Sequence, residues 1–319
     1  LLGLPFVWTV LVVIQSLPWV IAIDLVSLIV RRRRGAEVAA RVRAFGIVSA
    51  LAMFAVYTPV RVLVEHGDVR LREHRVTAAS PAGAPPFRIA FLADIQQDDH
   101  TDATRAHEIY ELVNAQRPDL ILSGGDWINS GPDHIESSAA TSAHLHSRLG
   151  TFSVRGDHEH FAYRDLDRSV TEVERSLARH GVAMLDNEVR WFEHAGKRIG
   201  VLFLNHNYIH RTDRETARKL IDSIAHADYS IVVTHQLDAE IAALAGNIDL
   251  VLAGHTHGGQ VNPVVGITHM NLARLETPYV DGRYQLGSTT IIVTAGVGYS
   301  IIPIRYASPG SLEIIDLAL

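Results

Sequence analysis

Two histidines two residues apart, in Gly254-His255-Thr256-His257-Gly258-Gly259-Gln260, follow directly on an apolar run at 247–253. On an extended backbone alternate side chains point the same way, so both imidazoles are expected to face one point beyond a strand end. Glycines on either side let the backbone crowd that point. Imidazole pairs placed in this way suit divalent metal ions, although a bare His-x-His is weak evidence alone. Four more stretches share the shape. Residues 87–93 run into Asp94-Ile95-Gln96, 120–125 into Asp126, 152–156 into Asp157-His158-Glu159, and 230–234 into His235. In open α/β sheets ligands gather beyond the carboxyl ends of strands. If the five ends converge, they assemble Asp94, Gln96, Asp126, Asp157, His235, His255 and His257. That set of oxygens and imidazoles is large enough for two divalent ions, with Asp126 as the carboxylate shared between them.

The order Asp-x-His, Gly-Asp, Gly-Asn-His-Glu, His, Gly-His-x-His is that of the calcineurin-like metallophosphoesterases, and the chain resembles them over roughly residues 68–319. Its Gly254 to Gln260 stretch and residues 296–305 are similar to the membrane-associated bacterial branch. Two positions depart from the pattern: Gln96 stands where the family has histidine, and Asp157 where it has asparagine. The resemblance implies one ion on Asp94, Gln96, Asp126 and His257, and a second on Asp126, Asp157, His235 and His255. Candidate ions are Mn²⁺, Mg²⁺, Fe or Zn²⁺; the added carboxylate and the amide oxygen favour harder ions, Mn²⁺ first. It also implies His158 beside the ions, contacting the phosphate or protonating the leaving oxygen, with Glu159 orienting His158 or a ligand. The activity implied is hydrolysis of a phosphodiester, pyrophosphate or phosphomonoester by a hydroxide generated between the two ions. Because Gln96 and Asp157 alter the pattern, the alternative is a non-catalytic or single-metal binding or sensor protein on the same scaffold.

The first 64 residues read as a membrane region. Residues 1–30 are nearly unbroken apolar sequence, interrupted mainly by Gln15, Ser16, Asp24 and Ser27, and are long enough to cross a bilayer. Asp24 is expected at an interface or against another helix. A second apolar run covers 44–60, extendable to 64 if Arg61 snorkels. Between the runs, at 31–43, lie Arg31-Arg32-Arg33-Arg34, Arg41 and Arg43, opposed only by Glu37. Short basic loops stay in the cytoplasm, which places the large domain outside it, in a multi-pass membrane protein. The bilayer is then one partner and a phosphate ester, plausibly lipid-linked, the other. Nucleic acid is not expected: the arginines are flanked by membrane-length sequence and the chain carries a net charge of −6. The sequence starts with Leu1, so upstream residues are expected. Absence of cysteine excludes disulfides, thiolate catalysis and cysteine-based metal sites.

These chemical groups need strands to carry them and helices to space the strands. Residues 65–86 are expected to form an edge strand, 69–76, and a Pro/Ala/Gly connector; 87–319 is the catalytic domain. Helical spacing marks 103–116, 135–149, 169–180, 212–225 and 238–245, and strand patterns mark 182–185, 189–194, 200–204, 289–294 and 311–316. Strands alternating with helices suggest an α/β fold with two packed sheets and helices outside. The resemblance implies the same four-layer α/β/β/α sandwich, here preceded by two transmembrane helices. His160 and His206 are candidates for the substrate cleft. His100 offers itself for the absent family histidine, although a solvated loop is favoured there, and Trp127 is favoured as core.

Overall fold

The computed structural model describes residues 3–77 and 85–319; most of the expected connector, residues 78–84, lies outside the described residues. In chain order the helices are α1 (Gly3–Arg34), α2 (Ala36–Glu65), α3 (Ala103–Ala115), α4 (Ile135–Ser142), α5 (Leu166–Arg179), α6 (Arg214–Ile224) and α7 (Ala239–Leu244). The strands are β1 (Val69–Thr77), β2 (Phe87–Leu92), β3 (Leu120–Ser123), β4 (Thr151–Ser153), β5 (Val182–Met184), β6 (Glu188–His194), β7 (Lys197–Leu204), β8 (Tyr229–Thr234) and β9 (Leu250–Ala253). The series ends with β10 (Val264–Val265), β11 (Thr268–His269), β12 (Gly282–Leu286), β13 (Thr289–Val293) and β14 (Gly310–Ala318). Contacts divide the chain into two units: one runs up to Asp68 and takes in Gln260–Leu272 and Ile304–Pro309, and the other holds the remainder.

In the first unit α1 and α2 run antiparallel, joined at Gly35, whose φ of 90° only glycine adopts readily. Both are long and apolar enough to cross a membrane. Asp24 meets the other helix as anticipated, pairing with Arg43 at 2.7 Å. Gln15, which unlike Asp24 is buried, donates to Thr58 Oγ1 at 3.0 Å. A polar group facing an apolar phase must be paired in this way.

The second unit is the α/β/β/α sandwich. One sheet has the order β1-β14-β2-β3-β4-β5 and the other β12-β13-β9-β8-β7-β6. Around the site the strands are parallel: β2 beside β3, β3 beside β4, β7 beside β8, β8 beside β9. Alternation along β2 shows why the sheets stack. Phe87, Ile89 and Phe91 join Phe203, Ile231, Val233 and Leu252 in the core between the sheets, while Ala90 and Leu92 meet Ile109, Val113 and Leu177 from the α3 and α5 side. On the far face Val232 and Val251 pack with Ile221 and Ile241 of α6 and α7. Strands buried on both faces read as continuous apolar runs, which is the form these segments take.

Several details differ from the sequence expectation: the basic segment at 31–43, read as a loop, is helical on either side of Gly35, and the hairpin strands β10 and β11 were not anticipated. The helix expected over 135–149 ends at Ser142, where Ser142 Oγ bonds the Ala139 carbonyl and the His144 ring bonds the Thr141 carbonyl; side chains compete there with the helix ladder. Strand β12 was not anticipated, because Gly282-Arg283-Tyr284-Gln285-Leu286 pairs antiparallel on an edge and carries no apolar run.

Candidate metal centre

The carboxyl ends of β2, β3, β8 and β9 and the loop after β4 bring their side chains to one place. His235 Nε2 lies 3.2 Å from Asp157 Oδ2 and 3.5 Å from Asp126 Oδ2. His255 Nδ1 lies 2.9 Å from Asp157 Oδ2 and 3.2 Å from His235 Nε2. His257 Nε2 approaches Asp94 Oδ1 at 3.8 Å, and Gln96 Nε2 donates to Asp126 Oδ2 at 3.3 Å. Among the described residues two groups of His and Asp have ligand atoms within 4.8 Å of one another: Asp157, His235 and His255, and Asp94, Asp126 and His235. All but His255 are buried.

The backbone supporting these side chains is unusual. Asp94, Gln96, Asp126, His255 and His257 all have positive φ, between 46° and 71°. This left-handed region is costly for residues other than glycine and concentrates where surrounding structure over-determines it. It corrects one step of the sequence argument: His255 and His257 do not alternate on an extended strand, because a 3₁₀ turn begins at His257. They converge by a tight bend instead. The bend is held by Asp94, whose two carboxylate oxygens each accept from the His255 amide at 3.0 Å. The glycines of 296–298 have a related reason. A Cβ at Gly298 would stand 2.1 Å from the Ile95 carbonyl oxygen.

Glu159 is fully buried, and its carboxylate accepts the amides of Asp126 (3.0 Å), Trp127 (2.6 Å) and Gly156 (2.7 Å). It therefore ties the loop after β3, Asp126 included, to the loop after β4. The His158 amide donates to Asp126 Oδ1 at 2.8 Å, and its ring hydrogen-bonds the Asn129 carbonyl through Nδ1. Since a carbonyl only accepts, Nδ1 carries the proton and Nε2, 3.9 Å from Asp126 Oδ2, faces the cluster. The same logic applies to His235, whose Nδ1 donates to the Gly124 carbonyl at 2.6 Å and leaves Nε2 for the cluster.

Electrostatics shows a site crowded with carboxylates. Burial is the main cause raising Asp94 to about 6, with Asp126 adding to it. Burial likewise raises Glu159 to about 7. Burial opposes charge on Asp157, yet hydrogen bonds from His235 and His255 hold its carboxyl below the usual range. Burial also opposes protonation of His255, but Asp157 and Glu276 raise it to about 9. His235 lies well above its ordinary value, because Asp126 and Asp157 outweigh burial. Protons here do what cations would do. The Gln96 side chain points the same way: its buried Oε1 has no hydrogen-bond partner in the structure, an orphaned acceptor that a cation satisfies. The donor set of carboxylates, imidazoles and one amide oxygen therefore fits divalent ions.

His206 sits aside from this cluster, buried and paired through Nε2 to Asp238 Oδ2 at 3.1 Å. His160 is buried too, its ring bonded to the Asp157 carbonyl at 3.1 Å. His100 is exposed in a solvated loop, and Trp127 is fully buried core with its indole donating to Ser153 Oγ at 2.8 Å. Residues that sequence reasoning missed complete the rim. Glu276 Oε1 lies 3.1 Å from His255 Nε2 and also accepts from Gln236 Nε2. Tyr208, 53% exposed, stacks edge-on to His255 at 4.6 Å, and its amide donates to Asp157 Oδ1 at 2.6 Å. Glu276 follows a 3₁₀ turn and Tyr208 lies four residues beyond the end of β7, so no ligand-type residue directly at a strand end marked either.

A sandwich with acidic and imidazole ligands at its strand ends defines a metal-dependent hydrolase scaffold. The family model for calcineurin-like phosphoesterases matches residues 87–259, and the chain belongs to that family, whose members hydrolyse phosphoric esters. It is 27% identical to an uncharacterized metallophosphoesterase of Campylobacter jejuni, over 84% of this chain and 67% of that one. It is also 27% identical to the uncharacterized metallophosphoesterase YkuE of Bacillus subtilis, over 86% and 94%. A Bos taurus transmembrane protein with a metallophosphoesterase domain is 30% identical over 75% of this chain and 54% of its own length.

Proposed function

We infer that this chain is a membrane-anchored phosphohydrolase that works with two divalent ions, Mn²⁺ favoured, and acts on a phosphate ester carried by a lipid. The observation that carries the reading is the convergence of Asp94, Asp126, Asp157, His235 and His255 at five separate strand or loop ends, with the orphaned Gln96 oxygen among them. Asp94, Gln96, Asp126 and His257 would hold one ion, and Asp126, Asp157, His235 and His255 the other. Bound there, the ions supply Lewis acidity, drawing charge from phosphoryl oxygens and making water nucleophilic near neutral pH. The chain's own residues do the rest. Asp126 is shared between the sets and is kept in place by the amides that Glu159 clamps. His158, partly exposed at the rim, keeps one proton on Nδ1 against the Asn129 carbonyl, and only as the imidazolium would it carry a second on Nε2 to give to the leaving oxygen; a positioned general acid contributes roughly 10²–10⁴-fold.

Two apolar helices of 32 and 30 residues support the membrane anchor, and an anchored enzyme meets bilayer-held headgroups at high local concentration. The arginines at the end of α1 and the start of α2 support an extracytoplasmic catalytic domain. A second reading, a single-ion binding protein, is favoured by one observation: His257 stands off Asp94 at 3.8 Å while the Asp157–His255 contact is 2.9 Å. Purified full-length chain, loaded with Mn²⁺ and given bis-p-nitrophenyl phosphate, separates the readings. Metal-dependent turnover with two bound ions, both lost in Asp126→Asn, is expected. One bound ion without turnover under any divalent metal establishes the second reading.

A further inference from the structure

Within the first unit the β10–β11 hairpin is fastened to the helix pair by its base. The Val264 amide donates to Gln15 Oε1 at 3.4 Å, and the Tyr306 hydroxyl donates to the same oxygen at 2.7 Å. The Gln15 amide in turn reaches Thr58. The strands pair Val264 with His269 and Val265 with Thr268. The chain turns at Gly266, whose φ of 66° suits glycine, and the next side chain, Ile267, is 99% exposed. Leu272, at the end of the segment, is 60% exposed.

An apolar tip at that place has a definite depth, provided α1 and α2 cross the bilayer as the preceding reading has it; the inference rests on that reading. Gln15 precedes Arg31 by sixteen residues, about 24 Å along a helix. Its partner Thr58 lies twelve residues beyond Gly46, which packs against Ile23, and Ile23 lies eight residues from Arg31, about 30 Å in all. The two spans differ by about one helical turn. Arginines mark one face of a hydrocarbon core about 30 Å thick, so the Gln15–Thr58 pair lies within about 6 Å of the other face. Ile267 is three residues from Val264, at most about 10 Å of extended chain. A hairpin lying along that face keeps its tip among acyl chains or in the headgroup layer, which adds about 5–7 Å beyond the hydrocarbon. The two-stranded pairing leaves its outer edges open, so the hairpin backbone belongs at the headgroup boundary, where water can bond it, and the Ile267 side chain is what reaches the acyl chains.

We propose that the β10–β11 hairpin is a third membrane contact, in which Ile267 inserts among lipids of the leaflet opposite the arginine block. Its partner is the lipid surface, and the hairpin continues the lipid-facing side of the helix pair. The sequence contains no cysteine, so one introduced cysteine labels one site in the intact chain. Ile267→Cys, Val56→Cys on α2 (65% exposed) and Lys219→Cys on α6 are each labelled with an environment-sensitive fluorophore. Each is reconstituted in nanodiscs of phosphatidylcholine and phosphatidylglycerol, with or without nitroxide-bearing lipid. The expected result is blue-shifted emission and strong quenching at 267, strongest from a nitroxide high on the acyl chain, with quenching at 56 and none at 219. Quenching at 56 with water-like emission at 267 overturns the hairpin contact and leaves the spanning helices intact. Blue-shifted emission at 267 that lipid nitroxides do not quench means that protein covers the tip, a second copy included, and overturns it too. No quenching at either 56 or 267 removes the spanning reading and the proposal with it.

Discussion

His255 is held from both ends. Nδ1 faces Asp157 and His235, and Nε2 meets Glu276 at 3.1 Å. A carboxylate on the far nitrogen of a ligating imidazole fixes its tautomer and raises its basicity, and removing such a partner typically costs about 10–100-fold in metal affinity. Burial opposes charge on Glu276, yet its bond to His255 holds its carboxyl at about 2, so it is ionised and able to accept. Glu276→Gln is therefore expected to weaken binding of one of the two ions about 10–100-fold. Titration calorimetry with Mn²⁺ checks this, and unchanged affinity at both sites would show that Glu276 does not position His255. Asp94, Asp126 and His235 were legible because each ends an apolar run. Glu276 was not, because it follows a 3₁₀ turn and reaches His255 only through the tertiary fold.

Strand β2 could be read from its letters because both its faces are buried, whereas β12 and the short α4 are decided by edges and side-chain competition that no run of apolar residues marks. The loops between elements follow a stricter rule than the pattern suggested. At Gly156, after β4, an added Cβ would stand 2.1 Å from Asp126 Oδ1 and 2.7 Å from the Asp126 amide nitrogen. The glycine thus lets two strand-end loops touch, and Glu159 ties them across that contact. Gly156→Ala must push Asp126 away, since the obstructing atoms belong to a backbone and a buried carboxylate. Overpacking of this kind typically costs about 1–3 kcal/mol. The expected outcome is a lower midpoint of thermal unfolding together with loss of bound metal. A variant that keeps both the midpoint and two ions would show that the loops have slack, and the clamp would then have no consequence for the site.

The whole chain is organised around a charge asymmetry that the catalytic unit does not share. Arg31 to Arg34 form the last turn of α1 and Arg41 and Arg43 lie near the start of α2, opposed by Glu37 and by Asp24, which Arg43 already engages. Moving such a block across a bilayer is disfavoured, and short basic loops set orientation where long domains translocate regardless of charge. The turn at Gly35 should therefore stay in the cytoplasm, and everything beyond Glu65 should emerge on the opposite side. Two exposed positions report this independently: Glu37 beside the arginines and Lys219 on α6. In intact cells a membrane-impermeant maleimide is expected to label Lys219→Cys at once and Glu37→Cys only after lysis. The reverse pattern would place the metal centre in the cytoplasm, where nucleotide-linked lipids become available as substrates. Labelling of both before lysis would mean that α1 and α2 do not seal the chain into a bilayer at all. Orientation thus selects the pool of phosphate esters the site can meet, before any side chain at the site discriminates among them.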